Sequence, residues 1–279
     1  MIDNVLEITG LCKDYDEFSL KNVSFSLPKG RIMGFVGQNG AGKTTTIKSV
    51  LGMLRPSSGE IKILGGALDQ VKERVGVVMD SPYYASEWTV TSLEKAVSPF
   101  YSNWSAESFH KALKNFSVST TKKISDLSRG MKVKLMMAVA LSHGAELLIL
   151  DEPTSGLDPV ARDELIEILA DLRKSGKSVL FSTHITSDLE RVADYVTFIK
   201  NGEIIYSGDK KTLLQSYKAV KIKDITEELK ALVIGGREFD GVFEGMAPAE
   251  SAGPFGAAAV SPTLEEIVVY MSREDRNYE

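Results

Sequence analysis

The chain has 279 residues, 43% hydrophobic and 25% charged, which suffices for one large domain, or a domain with an appendage, built around a sizeable core. Its formal net charge of −5 argues against general nucleic-acid binding, which needs a basic surface to neutralise phosphates. The lone cysteine, Cys12, can close no internal disulfide and has no companions for a zinc site, so a reducing cytoplasm fits best.

Apolar alternation in Val5-Leu6-Glu7-Ile8 and Val23-Ser24-Phe25-Ser26-Leu27 reads as two early strands joined by a polar turn. Ile32-Met33-Gly34-Phe35-Val36 is a short apolar run of the kind buried strands use, and it leads through a glycine-rich turn into a helix expected over residues 44–54. Further strands are expected at 59–64 and 74–79. From about 81 to 143 the texture is helical, with Phe109, Leu113 and Phe116 at helical spacing after Ser105. Leu147-Leu148-Ile149-Leu150 returns to a buried strand. Helix, strand, helix and strand then follow at 160–175, 178–182, 187–193 and 195–200. Asn201-Gly202 marks a hairpin into residues 203–206.

Strands alternating with helices predict an α/β fold with a mostly parallel sheet, an antiparallel β part from the early strands and final hairpin, and a helical subdomain at about 81–143. The main domain is expected to span 1–208 and a C-terminal extension 209–279. Within the extension, the Gly/Ala/Pro-rich stretch 241–262 reads as a loop or linker, and Thr263-Leu264-Glu265-Glu266 as a capping box opening a last helix.

Met1-Ile2-Asp3-Asn4 has no basic region before an apolar run, so no signal peptide is expected. No stretch offers the roughly eighteen apolar residues that a bilayer span requires; the best, 135–150, is broken by His143 and Glu146. Any membrane-spanning part is therefore expected from a separate chain.

Gly37-Gln38-Asn39-Gly40-Ala41-Gly42-Lys43-Thr44 matches the P-loop pattern G-x-x-x-x-G-K-[ST]. Its glycines let consecutive backbone N–H groups turn toward one phosphate, and the following helix aims its positive dipole end at the same anion. Lys43 supplies a full charge at the β- and γ-phosphates, and the Thr44 hydroxyl suits Mg²⁺. Strand, loop and helix fall in the required order, which points to ATP binding with Mg²⁺. Gly37, Asn39, Gly40, Ala41, Gly42 and Thr45 complete the expected nucleotide contacts.

Asp151 and Glu152 close the apolar strand 147–150, where open α/β sheets bind ligands. Asp151 can hold Mg²⁺ through water, and Glu152, pointing elsewhere, can orient or deprotonate the attacking water. Ser128 reads as the N-cap of a long helix beginning Leu127-Ser128-Arg129-Gly130-Met131, a second helix N-terminus suited to an anion.

The order of P-loop, LSRGM, LLILDE, Ser155-Gly156-Leu157-Asp158 and Ser182-Thr183-His184 resembles the ATP-binding subunits of ABC transporters over about residues 5–208. The resemblance implies an ATPase that works as a pair, homodimer or heterodimer, with two ATPs sandwiched head to tail. Ser128, Arg129 and Gly130 then form the signature that closes over the ATP of the second ATPase subunit. Asp158 lies in the D-loop between the sites, and His184 contacts the γ-phosphate, joining Glu152 and Lys43 as catalytic residues. Tyr15 lies where the family stacks an aromatic on adenine, with Phe18 as competitor.

The chain departs from the family at three places. Asp80 replaces a frequent Gln that links Mg²⁺ to the helical region touching the membrane partner, and is expected to keep that role with more metal dependence. Arg129 replaces a common Gly, as a cation that either attracts the partner's nucleotide or faces solvent. Met131 replaces a frequent Gln.

The wording LSRGM, Ile185-Thr186-Ser187-Asp188-Leu189-Glu190 and Gly241-Val242-Phe243-Glu244-Gly245 is similar to a bacterial exporter-type subgroup linked to antibiotic or peptide resistance. The expected function is thus the motor of an exporter, peripheral on the cytoplasmic membrane face, beside a separate transmembrane subunit and without nucleic acid. Tyr83, Tyr84, Trp88 and Trp104 are candidates for the docking groove or for packing of the helical subdomain. The alternative is a soluble ABC ATPase acting in assembly or regulation.

Overall fold

In a computed structural model, residues 3–273 are described. In chain order the elements are β1 (Asn4–Asp14), β2 (Ser19–Pro28), β3 (Ile32–Val36), α1 (Lys43–Val50), β4 (Ser58–Ile63), α2 (Leu68–Val71) and β5 (Val75–Val78). The helical stretch supplies α3 (Val90–Val97), α4 (Ala106–Asn115) and α5 (Arg129–Ser142). Then come β6 (Leu147–Leu150), α6 (Pro159–Lys174), β7 (Ser178–Thr183), α7 (Thr186–Val192), β8 (Tyr195–Lys200) and β9 (Glu203–Asp209). The remainder holds α8 (Lys210–Ser216), β10 (Tyr217–Ile222), α9 (Glu227–Lys230), β11 (Ile234–Phe239), β12 (Val242–Pro248), β13 (Ala259–Val260) and α10 (Leu264–Arg273).

A six-stranded sheet of order β5-β6-β7-β3-β8-β9 carries the fold. Its first five strands run parallel and β9 returns antiparallel from β8. The Asn201-Gly202 turn between them has both φ angles positive, at 49° and 80°, as the two-residue hairpin requires. A separate antiparallel sheet, β2-β1-β4, is the β part expected from the early strands.

Strand alternation divides the core. Leu148, Leu150, Val179 and Phe181 face one side, where they meet Met136 and Met137 of α5, Leu165 and Leu169 of α6 and Leu189 of α7. Leu147, Ile149, Leu180, Met33 and Phe35 face the other, against Leu6, Ile8 and Phe25 of the small sheet and Ile47 of α1. Each fully buried side chain of this size contributes about 1.5–3 kcal/mol, so burial on both faces explains why these strands read as unbroken apolar runs.

The helical subdomain has its own core of Val90, Leu93, Phe109, Leu113 and Leu135. Thr89, Ser105 and Ser128 cap its helices by accepting backbone N–H bonds at 3.1, 3.1 and 3.2 Å. Trp104 packs on Phe109 with ring centres 5.3 Å apart and Tyr84 lies against both cores, whereas Tyr83 and Trp88 remain exposed.

The 241–262 stretch is not the expected linker. It forms β12, short 3₁₀ turns and β13, within a four-stranded sheet of order β11-β12-β10-β13. One of its glycines serves close approach: a Cβ on Gly245 would fall 2.2 Å from Val233 Cγ1 and 3.0 Å from Gly236 Cα. The capping box does form, with Glu266 N donating to Thr263 Oγ1 at 3.1 Å and Thr263 N to Glu266 Oε2 at 2.9 Å. Behind it, α10 places Leu264, Ile267, Tyr270 and Met271 in the same core as Leu189 and Val192 of α7. Leu264 N donates to Glu190 Oε1 at 2.6 Å, which ties the C-terminal sheet back to the main sheet.

His143, which interrupts the apolar 135–150 stretch, ends α5 and is buried. Its ring stacks on Tyr101 at 4.0 Å, and Nδ1 donates to the Glu73 carbonyl at 2.9 Å. Burial holds its pKa below the ordinary value, against the opposing pull of that hydrogen bond. The folded state therefore keeps the neutral ring, while the unfolded chain takes up a proton at about pH 6.5. The stability this supplies is complete above that pH and is lost as pH falls through it toward the depressed folded value. Calorimetric Tm should drop between about pH 7.5 and 5.5, and drop less in His143→Phe, which keeps the stack and cannot titrate. Equal slopes would remove His143 as a source of acid lability.

Candidate active site

Four parallel strands end on one side of the main sheet, and each delivers a candidate residue there. The P-loop follows β3, Asp151 and Glu152 follow β6, His184 follows β7 and Asp80 follows β5. Carboxyl ends of parallel strands are where open α/β sheets place ligands.

The base of the P-loop packs tightly at Gly37 and Gly42. Gly42 has φ 113°, and a Cβ there would fall 2.5 Å from Leu20 Cδ2 and 3.0 Å from Phe18 Cζ. Phe18 thus lies under the loop, whereas Tyr15 is exposed in the β1–β2 turn, with ring centres 6.4 Å apart. Gln38, Asn39 and Gly40 are exposed at the loop tip, while Ala41 is buried. Thr45 and Thr46 stiffen the start of α1: Thr45 O accepts from Ser49 Oγ and Gly42 O from Thr46 Oγ1, both at 2.9 Å.

Lys43, 5% exposed, is held between backbone and carboxylate. Its Nζ donates to Gly37 O at 2.7 Å and Gln38 O at 3.1 Å, and lies 3.2 Å from Glu152 Oε1. The other Glu152 oxygen accepts from His184 Nδ1 at 2.9 Å. Glu152 reaches both because its backbone is left-handed, φ 49°, which turns the side chain away from the direction Asp151 takes. A non-glycine residue held in that region costs of order 1 kcal/mol and is characteristic of functional sites.

Thr44 Oγ1 donates to Asp151 at 3.0 Å (Oδ2) and 3.3 Å (Oδ1). Ser182 Oγ donates to Asp151 Oδ1 at 2.7 Å and accepts from Glu152 N at 2.9 Å, so this buried hydroxyl fixes both acidic residues. Sequence reasoning quoted Ser182 beside His184 without giving it a role. Its signal was a hydroxyl directly before the Thr183-His184 pair, at the carboxyl end of a strand that is buried throughout.

Thr44, Asp80, Asp151, Glu152 and His184 line one cleft of about 380 Å³. Hard hydroxyl and carboxylate oxygens on one wall suit Mg²⁺. Among the described residues no three His, Cys, Asp or Glu side chains are grouped to hold a metal by themselves.

The signature and D-loop meet at their helix starts. Ser128 and Arg129 are exposed, and a Cβ on Gly130 would lie 3.0 Å from Ala161 Cβ of α6. Asp158 caps α6, its Oδ1 accepting from Val160 N and Ala161 N at 3.0 Å each, an arrangement worth about 1 kcal/mol. Arg129 is partly exposed, with its side chain 41% accessible, and is also engaged within the chain. It pairs within its own chain with Asp80, and its Nε donates to Ser155 O at 2.6 Å.

Comparison with known proteins matches residues 20–155 to the family model described as ABC transporter. A Nod factor export ATP-binding protein I of Burkholderia lata is 36% identical over 211 residues, 72% of this chain and 69% of its own length. The chain belongs to the ATP-binding subunits of ABC transporters. The bacitracin transport ATP-binding protein BcrA of Bacillus licheniformis is 30% identical over 247 residues, covering 86% of this chain and 81% of its own. A solved relative, cbiO1 of Clostridium perfringens, described as part of the ABC transporter complex cbiONQ, superposes with TM-score 0.65 at 26% identity. That match covers 76% of this chain and 90% of cbiO1. This ABC subunit is an ATP-binding ATPase with a P-loop NTPase core. Among the described residues no helix is long and apolar enough to cross a membrane.

Proposed function

We propose that this ABC ATPase is the motor subunit of an exporter, pairing with a second ATPase subunit and driving a separate transmembrane subunit from the cytoplasmic membrane face. One observation carries the reading: Lys43, Glu152 and His184 form one continuous ionic chain beside the Thr44–Asp151–Ser182 hydrogen-bonded group. A buried ammonium for phosphates, a carboxylate for water and an imidazole beside it are the parts that phosphoryl transfer to water needs. Export is favoured by the likeness to the Nod factor export subunit, and a membrane partner by the cbiO1 likeness.

In this reading Lys43 and the N–H groups of Gly37, Asn39, Gly40, Ala41 and Gly42 hold the ATP phosphates, with Thr44 and Thr45 at the start of α1. Tyr15 supports adenine, and Phe18 buttresses the loop from below. Thr44, Asp151 and Asp80 would hold Mg²⁺, which supplies charge neutralisation on the phosphates when bound. Glu152 takes a proton from the attacking water, and His184, hydrogen-bonded to it, holds that carboxylate toward the γ-phosphate. Ser128, Arg129 and Gly130 face the second subunit's ATP, and Asp158 steadies the start of α6 between the two sites.

Residues 1–208 form the cassette, with the helical subdomain at 81–143, and 209–279 extend it through α10. Exposed Tyr83, which lines the same cleft as Asp80, and exposed Trp88 offer the membrane subunit aromatic surface. A gentle pull-down of the tagged protein from solubilised native membranes, read by mass spectrometry, should recover a multi-span membrane protein in stoichiometric yield. Recovery of soluble companions alone would transfer the ATPase to an assembly or regulatory role.

A further inference from the structure

Two of the chain's departures from its family answer each other. Asp80, at the end of β5, and Arg129, at the start of α5, are 49 positions apart and form an ion pair through Arg129 Nη2 and Asp80 Oδ1. The same guanidinium donates through Nε to Ser155 O at 2.6 Å. It also lies across Gly156, whose φ is +66°: a Cβ there would meet Arg129 Nε, Cδ and Cζ at 3.2, 3.4 and 3.5 Å. One side chain therefore joins the segment after β5, the first turn of α5 and the segment after β6. Asp80 also lines the cleft that holds Thr44, Asp151 and Glu152, while Arg129 lines the neighbouring cleft toward the helical subdomain.

Resting on the ATPase reading above, we propose that Arg129 is a positioning residue that competes with Mg²⁺ for the Asp80 carboxylate, so that metal binding releases the start of α5 from the segment after β5.

The physical basis is a choice between cations. Mg²⁺ held by Thr44, Asp151 and Asp80 would draw the Asp80 carboxylate into the cleft these residues share, at the expense of its alignment with the guanidinium lining the neighbouring cleft. The pair is half exposed, at 41% and 52% of the side chains, so solvent screens it and a dication can displace it. A neutral Gln at position 80 with Gly at 129 would have no such ionic competitor. Once Asp80 turns away, the Nε bond to Ser155 O remains, so Arg129 still joins the start of α5 to the segment after β6 but no longer to the segment after β5.

The test titrates Mg²⁺ against wild type, Arg129→Gln, Asp80→Asn and the double variant, using a fluorescent trinitrophenyl-ATP as the probe. Arg129→Gln should lower the Mg²⁺ concentration for half-maximal binding about three- to fivefold, the size expected of an exposed pair. Asp80→Asn should raise it, and the double variant should match Asp80→Asn alone, because the competitor has nothing left to compete for. An unchanged or raised half-point in Arg129→Gln, or additive effects in the double variant, overturns the proposal. Arg129→Lys keeps the charge but loses the two-way fork and should fall between wild type and Arg129→Gln, which preserves the test if the larger change disturbs folding.

A second readout needs neither nucleotide nor metal. Hydrogen exchange in residues 153–158 should speed up in Arg129→Gln, and unchanged exchange there removes the tie. Failure of wild type to bind the probe at any Mg²⁺ level would sink the ATPase reading instead, and the exchange measurement would still decide whether Arg129 holds these segments together.

Discussion

Glu152→Gln should bind Mg·ATP with at least wild-type affinity and hydrolyse it about 10²–10⁴ times more slowly, the usual contribution of a positioned general base. The substitution keeps the length of the side chain and its left-handed backbone, φ 49°, and keeps an oxygen facing His184 Nδ1. What it removes is the negative charge that lies 3.2 Å from Lys43 Nζ. With that charge gone, Lys43 is released from an internal competitor, and the γ-phosphate no longer faces a carboxylate. ATP binding therefore survives while proton abstraction does not. Single-turnover hydrolysis measures the chemical step, and sedimentation with Mg·ATP measures the closed pair, which should accumulate. A Gln variant hydrolysing within a few-fold of wild type would remove Glu152 from the base role. A variant that stays monomeric at high concentration would point to a different ATPase subunit as its mate.

Lys43→Ala should lose about tenfold to a hundredfold or more in ATP affinity, since a charge-assisted hydrogen bond is worth about 1.5–3 kcal/mol and each 1.4 kcal/mol is a decade. The effect has two sources in this structure. The ammonium that would meet the phosphates is gone, and Glu152, with its side chain only 14% exposed, is left facing the P-loop without its cation. Titration calorimetry on Lys43→Ala and on Lys43→Ala/Glu152→Gln separates them. The double variant should recover part of the lost affinity because the stranded carboxylate has been neutralised. No recovery would show that the Lys43–Glu152 contact does not shape the anion site, and wild-type affinity in Lys43→Ala would place the phosphates elsewhere.

Much of the site was legible before folding because it is written in short local patterns. Gly37 to Thr44 specify a turn whose backbone N–H groups converge, and Leu147 to Leu150 specify a buried strand that has to release Asp151 and Glu152 at its end. Helix starts at Ser105, Ser128 and Thr263 were readable from their caps, since the hydrogen bond from cap to backbone spans only three residues. Gly241 to Pro262 misled for a related reason. Composition cannot separate a glycine that gives a loop freedom from one, such as Gly245, that lets a strand approach Val233 and Gly236.

What the sequence by itself determined is the set of local chemistries: the phosphate loop, the paired acids, the cap residues and the apolar runs that make β3 and β6 strands buried on both faces. What only the tertiary structure decided is which of those chemistries touch. The Lys43–Glu152–His184 chain, the service of Ser182 to both acids, and the tie between Asp80, Arg129 and Ser155 each span segments far apart in the chain. Local patterns act over three or four residues through backbone geometry. Contacts across a sheet depend on strand order, and the order β5-β6-β7-β3 that brings these ends together arises only when both faces of the sheet are packed.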